Sequence, residues 1–286
     1  MKSKRLAFTL VELMTVLAVI TILVALLIPA LSMVRRMAKE TQQKAQLTTI
    51  GLAIAAFRND YGDYPPSGAT DLANLDYSGA QKLAEALLGW DLMGFHPNSA
   101  FRSDGEDGSG NEIYPDPFNP NNSTHIDNLK ERVGPYLEAG TASAFKLEQL
   151  FDTVTNLEPD TFVICDVFGV RRITTAGGET VKAGTPILYY RANTASKDHI
   201  TTTKFNERIY NVFDNRFLVE LKTVTIDGKA GENHPLGDGS SNYEAFYDHI
   251  TDTKVAAPWP YRPDSYILIT AGADGEYGTK DDICNF

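Results

Sequence analysis

Two cysteines in 286 residues, Cys165 and Cys284, exclude a disulfide framework and any Cys-x-x-Cys metal or redox pair. They allow at most one bond to each other in an oxidising space. The five histidines (His96, His125, His199, His234 and His249) show no metal-helix spacing and read as loop residues. There is no Gly-x-Ser-x-Gly elbow and no phosphate-binding glycine loop. These absences leave nothing on which to rest catalysis, and the expectation is a protein that is not an enzyme. Positive charge is also scarce beyond the first segment. Residues 1–44 hold seven Lys/Arg against two Asp/Glu, a balance of +5, so the rest carries −16 against a total of −11. So acidic a remainder, with no basic cluster, argues against nucleic acid as a partner.

One long apolar run is present, from residue 8 to residue 28, close to the roughly 20 residues needed to cross a bilayer. It contains a single acid, Glu12. A carboxylate at membrane depth costs about 2.5–3.5 kcal/mol even on the lenient insertion scale, so it is a functional residue by default. Thr9, Thr15 and Thr21 can return their hydroxyls to helix carbonyls. An ordinary secretory signal has a shorter apolar core and no place for Glu12. Lys2, Lys4 and Arg5 on one side face Arg35, Arg36 and Lys39 on the other, so charge does not set the orientation. If the chain were cut before Phe8, the new ammonium would lie about one turn from Glu12. A free amine at a helix N-terminus opposes the macrodipole and seeks an anion. Two staggered helices could then pair the amine of one with Glu12 of the next.

The stretch Lys4-Arg5-Leu6-Ala7-Phe8-Thr9-Leu10-Val11-Glu12-Leu13 resembles the type IV prepilin signal of pilins and type II secretion pseudopilins. The resemblance implies cleavage between Ala7 and Phe8 by a prepilin peptidase, methylation of the Phe8 amine, and a Glu12 that guides subunit addition. Pro29 falls at mature position twenty-two, where the family carries a helix-weakening proline. Ala7 departs from the glycine the family prefers before the cut. The resemblance further implies a single-pass inner-membrane protein with its C-terminal domain in the periplasm. Its partners would be membrane lipid, an inner-membrane assembly platform and other subunits of the same kind.

Beyond the membrane run, Ile50, Ala53, Ile54, Phe57 and Tyr61 recur at helical spacing, the stripe of an amphipathic helix on a core. Gly62 and Pro65-Pro66 stop it. The expected division is a leader at 1–7, a membrane and assembly helix at 8–34, its amphipathic continuation at 35–61, and an exported domain at 62–286. The fold class is α+β: a long N-terminal helix whose second half is covered by an antiparallel sheet, with large loop insertions. Helices are expected at 81–88 and 126–137, strands at 161–168, 186–192, 217–226 and 265–270, and a long loop at 95–124. Asp166-Val167-Phe168-Gly169 followed by Pro186-Ile187-Leu188-Tyr189-Tyr190-Arg191 loosely resembles the strand pair of the major pseudopilin, with an enlarged hairpin between.

After the last strand comes Ala271-Gly272-Ala273-Asp274-Gly275-Glu276-Tyr277-Gly278-Thr279-Lys280-Asp281-Asp282-Ile283, acids separated by glycines. Hard cations such as Ca²⁺ take 6–8 oxygens, which carboxylates and carbonyls can supply. The spacing is not that of an EF-hand. It resembles the C-terminal calcium loop of major pseudopilins. That resemblance implies Asp274 and the Asp281–Asp282 pair as side-chain ligands, with the choice between the two open, and Ala271 as a carbonyl ligand. The acids of 104–108 offer a second, weaker cation loop. The functional expectation is a pseudopilin of a short secretion fibre. The alternatives are a pilin of a surface fibre for adhesion, motility or DNA uptake, and a tethered binding domain that never polymerises.

Overall fold

Apolar residues at every third or fourth position decide which part of the first helix is buried. In the computed structural model, which describes residues 10–68, 75–174, 178–226, 228–237 and 242–286, α1 spans Leu10–Tyr61. Its Leu47, Ile50, Ala53, Ile54 and Phe57 are buried. Gly62, at φ +83°, ends it in a left-handed conformation that glycine adopts without penalty. The chain divides into two compact units, Met1–Thr41 and Gln42–Phe286. In the first, every described residue up to 39 is exposed, although most of them are apolar as far as residue 34.

The second unit carries the remaining elements: α2 (Gly79–Leu88), α3 (Ser123–Glu131), α4 (Ala139–Ala142), β1 (Ala144–Lys146), α5 (Leu147–Leu150), β2 (Phe162–Ile164), β3 (Arg171–Thr174), β4 (Thr180–Ala183), β5 (Leu188–Arg191), α6 (Arg216–Glu220), α7 (Tyr243–Ile250), β6 (Tyr266–Thr270) and β7 (Ile283–Cys284). All pairings between the described strands are antiparallel: β1 with β2, β3 with β4, and a sheet ordered β5-β6-β7. The class is therefore α+β, a long apolar helix followed by small antiparallel sheets.

The β5-β6-β7 sheet is buried on both faces, and strand alternation sorts its side chains between two cores. Tyr189, Tyr266, Leu268 and Ile283 pack with the α1 stripe and with Leu83 and Leu87 of α2. Leu188, Tyr190, Ile267 and Ile269 face the other way, onto Phe246, Tyr247 and Ile250 of α7. The sheet thus covers the helix stripe as its apolar face requires.

Two expectations need correcting. Residues 217–226 do not form a strand: α6 ends at Glu220 and Lys222 takes φ +69°. Arg216 and Glu220 pair at 2.7 Å across one helical turn, a local preference that overrides the β-branched content. The helix expected to reach 137 ends at Glu131, because Arg132 is already extended and Gly134-Pro135 follows. Residues 95–122 form neither helix nor strand, and the enlarged hairpin is β3–β4.

Candidate functional site: the apolar helix and the C-terminal loop

Helix α1 supplies the first candidate site. It is long and apolar enough to cross a membrane, and none of its most apolar stretch is buried. Leu-rich and β-branched residues form this helix while its threonines answer their own backbone: Thr15 Oγ1 donates to the Glu12 carbonyl at 3.0 Å and Thr21 Oγ1 to that of Leu17 at 2.7 Å. Glu12 lies in the first turn, the favourable end of the macrodipole for an anion. Pro29 sits inside the helix, and its carbonyl accepts from Ser32 Oγ at 2.8 Å. Arg36 and Glu40 pair at 2.9 Å where the surface turns polar. Ala7, Phe8 and Thr9 lie outside the described residues.

The second site is the loop joining β6 to β7. Its glycines let the chain curl: Gly272 has φ +65°, and a Cβ there would meet the Asp281 carbonyl oxygen at 2.3 Å. Asp281 Oδ2 accepts from the amides of Ala273 at 2.8 Å and Asp274 at 3.1 Å, and Thr279 Oγ1 donates to its Oδ1 at 2.6 Å. Asp274 Oδ1 accepts from the Glu276 amide at 2.9 Å. Burial and the negative charge of Asp281 raise Asp274; burial acts the same way on Asp281, but its hydrogen bonds win and hold it low. Ala271 is fully buried at the loop entrance.

Asp282 turns inward. Its side chain is 2% exposed. Its oxygens accept from the amides of Gly278 at 2.7 Å and Thr279 at 3.3 Å. Burial pushes its carboxyl up to about 7. His249 Nε2 lies 3.4 Å from Asp282 Oδ2 and 3.6 Å from Cys284 Sγ. Burial holds that imidazole low and the thiol high, so neither is prepared for nucleophilic chemistry. Among the described residues, no three His, Cys, Asp or Glu side chains gather as a metal ion requires. A cation here would draw on the Asp274–Asp281 pair and on backbone carbonyls.

The weaker acidic loop is closed on itself. Asp107 accepts from the amides of Ser109 and Asn111 and from Asn111 Nδ2, each at 2.8 Å, and Asp104 pairs with Arg102. Cys165 and Cys284 are free thiols. Nor are the histidines all loop residues on the surface: His96, His199 and His234 are buried. His234 Nδ1 accepts from the Tyr277 amide at 3.1 Å, and His199 Nε2 contacts Thr251 Oγ1 at 2.7 Å.

Sequence reasoning misses a buried ionic group around α2. Lys82, Glu85 and Asp214 are all nearly inaccessible. Ser67 Oγ donates to Asp214 and Ser99 Oγ to Glu85, while Lys82 Nζ donates to the Gly68 carbonyl at 2.6 Å. Burial pushes both carboxyls up to about 7, and the Lys82 charge opposes that shift in each. No sequence signal marks these three, because Lys82 and Glu85 occupy positions that read as a polar helix face.

No curated protein and no solved structure matches the chain at a significant level. The family model of the prokaryotic N-terminal methylation motif matches residues 2–28, which span Ala7, Phe8 and Glu12. Proteins with this motif are structural subunits, processed by a prepilin peptidase and assembled with other pilin-like subunits. Residues 2–28 thus carry a prepilin-type methylation motif, and the helix that bears it is long and apolar enough to cross a membrane.

Proposed function

We propose that the chain is a pseudopilin of a type II secretion system. In this reading it is stored in the inner membrane and added by an assembly platform to a short periplasmic fibre that drives protein export. The observation that carries it is Glu12, the lone acid in the exposed apolar stretch of α1 and inside the methylation motif. After cleavage before Phe8, the Glu12 carboxylate of one copy neutralises the Phe8 amine of its neighbour. Residues 8–34 then form the fibre core, 35–61 continue the helix, and 62–286 form the outer domain. The acidic loop after β6 and the Pro186-to-Tyr190 segment that leads into β5 favour a secretion pseudopilin over a surface pilin.

The deciding measurement is the intact mass and N-terminal residue of the protein from its own membranes. A chain beginning at methylated Phe8 is expected despite Ala7. A chain that keeps residues 1–7 would overturn assembly in favour of a static anchor.

The C-terminal loop holds Ca²⁺ in the same reading. Asp274 and Asp281 offer the carboxylates and Ala271 a carbonyl, while Asp282 orders the turn from within. A ligand that binds only the folded state raises its melting temperature. Calcium should therefore raise Tm over a chelator control, and Asp274→Asn should remove the difference. Equal melting curves with and without calcium would refute the site.

A further inference from the structure

The exported unit carries two patches of opposite charge, one at each end of β6. At the Tyr266 end a groove of about 430 Å³ opens beside α1, lined by Lys44, Arg262 and Tyr266. It continues past Gly51 to Arg58 and Tyr64. The guanidiniums of Arg58 and Arg262 lie over the rings of Tyr64 and Tyr266, at 4.5 Å and 5.2 Å, and the two rings meet edge to face at 5.3 Å. Lys44, Arg58 and Arg262 are all exposed. The nearby acids Asp60 and Asp63 are engaged elsewhere, by Tyr136 and Arg191. Three cations thus surround two tyrosines on a unit whose net charge is strongly negative.

At the other end, about 15 Å away along the five residues of the strand, a cleft of about 290 Å³ lies between the C-terminal loop and residues 223–226 and 229–232. Glu232, Asp274 and Glu276 line it, with Lys229 also on its wall. Thr185 lines the same cleft; it is 1% exposed, and its hydroxyl has no hydrogen-bond partner among the described residues. The space and the unanswered hydroxyl fit the ammonium or guanidinium end of a long side chain.

The geometry points to a head-to-tail contact between copies of this chain, in which the Lys44–Arg58–Arg262 groove of one copy docks on the Glu232–Glu276 cleft of the next. Two different, complementary patches make a heterologous interface, and a heterologous interface that does not close on itself propagates as a helical filament. Charge complementarity fixes register and suppresses wrong pairings. The inference rests on the proposed fibre function and adds the surface through which exported units recognise each other.

A zero-length carbodiimide coupling on a mixture of ¹⁴N- and ¹⁵N-labelled full-length chains in membranes tests it. Mass spectrometry should find mixed-isotope links joining Lys44 to the peptide with Glu232 or Glu276. Reversing one patch, by Lys44→Glu with Arg58→Glu or by Glu232→Lys with Glu276→Lys, removes a coupling group, so association is read instead by co-purification of tagged with untagged chains, which should fall about tenfold. All four reversals in one chain should restore association, with the amine now on the cleft side of the link and the carboxyl on the groove side. Unchanged circular dichroism of each variant shows that the fold survives. Single-patch variants that associate like wild type, or links confined to one isotope, would overturn the contact. A disulfide between Leu17→Cys copies separates this contact from the fibre function itself. Helix cross-links without the patch links sink this contact alone, and loss of both sinks the fibre function with it.

Discussion

Glu12 is the only acid before Glu40, and its position is hard to explain as packing, because every neighbour on α1 is exposed in the isolated chain. Glu12→Gln keeps size and polarity while removing the charge. If Glu12 neutralises a neighbour's amine, that variant should stay anchored and folded yet fall at least about tenfold in fibre incorporation, since a buried ammonium then lacks its counter-ion. Co-purification of tagged and untagged copies reads this directly, and undiminished co-assembly would count against the role. The buried Asp214 gives a second residue-level prediction. Its carboxyl is raised from 3.8 to about 7 in the folded state, so between those values the folded chain holds a proton that the unfolded chain has released. Stability is therefore highest at low pH on this account, falls as pH rises from about 4, and levels off above about 7. Glu85 acts in the same direction. Asp214→Asn keeps an acceptor for Ser67 and removes the titration, so the loss of stability over that range should become shallower by a few kcal/mol. A pH series of melts that matches wild type would show that Asp214 is ionised in both states.

Among the elements, α2 shows where local pattern suffices and where it fails. The apolar spacing of Leu83, Ala84, Leu87 and Leu88 marks a helix, and Ser78 and Gln81 form a capping box that starts it. All ten residues of α2 are nonetheless buried, polar ones included, because the helix is packed on both sides and not laid on a surface. Helical periodicity reports one face and carries no information about a second. Gly79 packs closely against the sheet: a Cβ there would lie 2.3 Å from the Tyr189 carbonyl oxygen of β5. Gly79→Ala should cost about 1–3 kcal/mol by overpacking, despite alanine's better helix propensity, and denaturant unfolding measures it. A stabilised variant would mean that α2 can slide relative to the sheet. Strand β6 is legible in the sequence because five consecutive buried residues, Tyr266–Thr270, admit little else. The segment 217–226 misleads because its β-branched content outweighs, on the page, the Arg216–Glu220 pair that favours one helical turn. In the C-terminal loop the sequence locates the acids but not their directions. The backbone donors of Gly278 and Thr279 turn Asp282 inward, and only the folded loop reveals that.

For the whole molecule, charge is the quantity that links storage in a membrane to assembly. Under the proposed fibre function, C-terminal domains carrying about −16 each repel one another, and that repulsion acts over a Debye length of about 10 Å at 0.1 M salt. A fibre of such units requires either the helix cores alone to overcome it or local attraction that outweighs it at contact. The two cases respond oppositely to ionic strength. With only repulsion between exported domains, added salt can do nothing but strengthen association. With the cationic groove seated on the acidic cleft, salt first relieves the long-range repulsion and then, above roughly 0.15 M, weakens the contact itself. Wild-type association should therefore pass through a maximum as salt rises. Lys44→Gln with Arg58→Gln removes the attraction and adds to the net negative charge, so its association should start weaker and rise steadily over the same range. Sedimentation of the full-length chains in neutral detergent distinguishes the two curves, and a wild-type chain whose association rises without limit would leave the helix as the only source of cohesion.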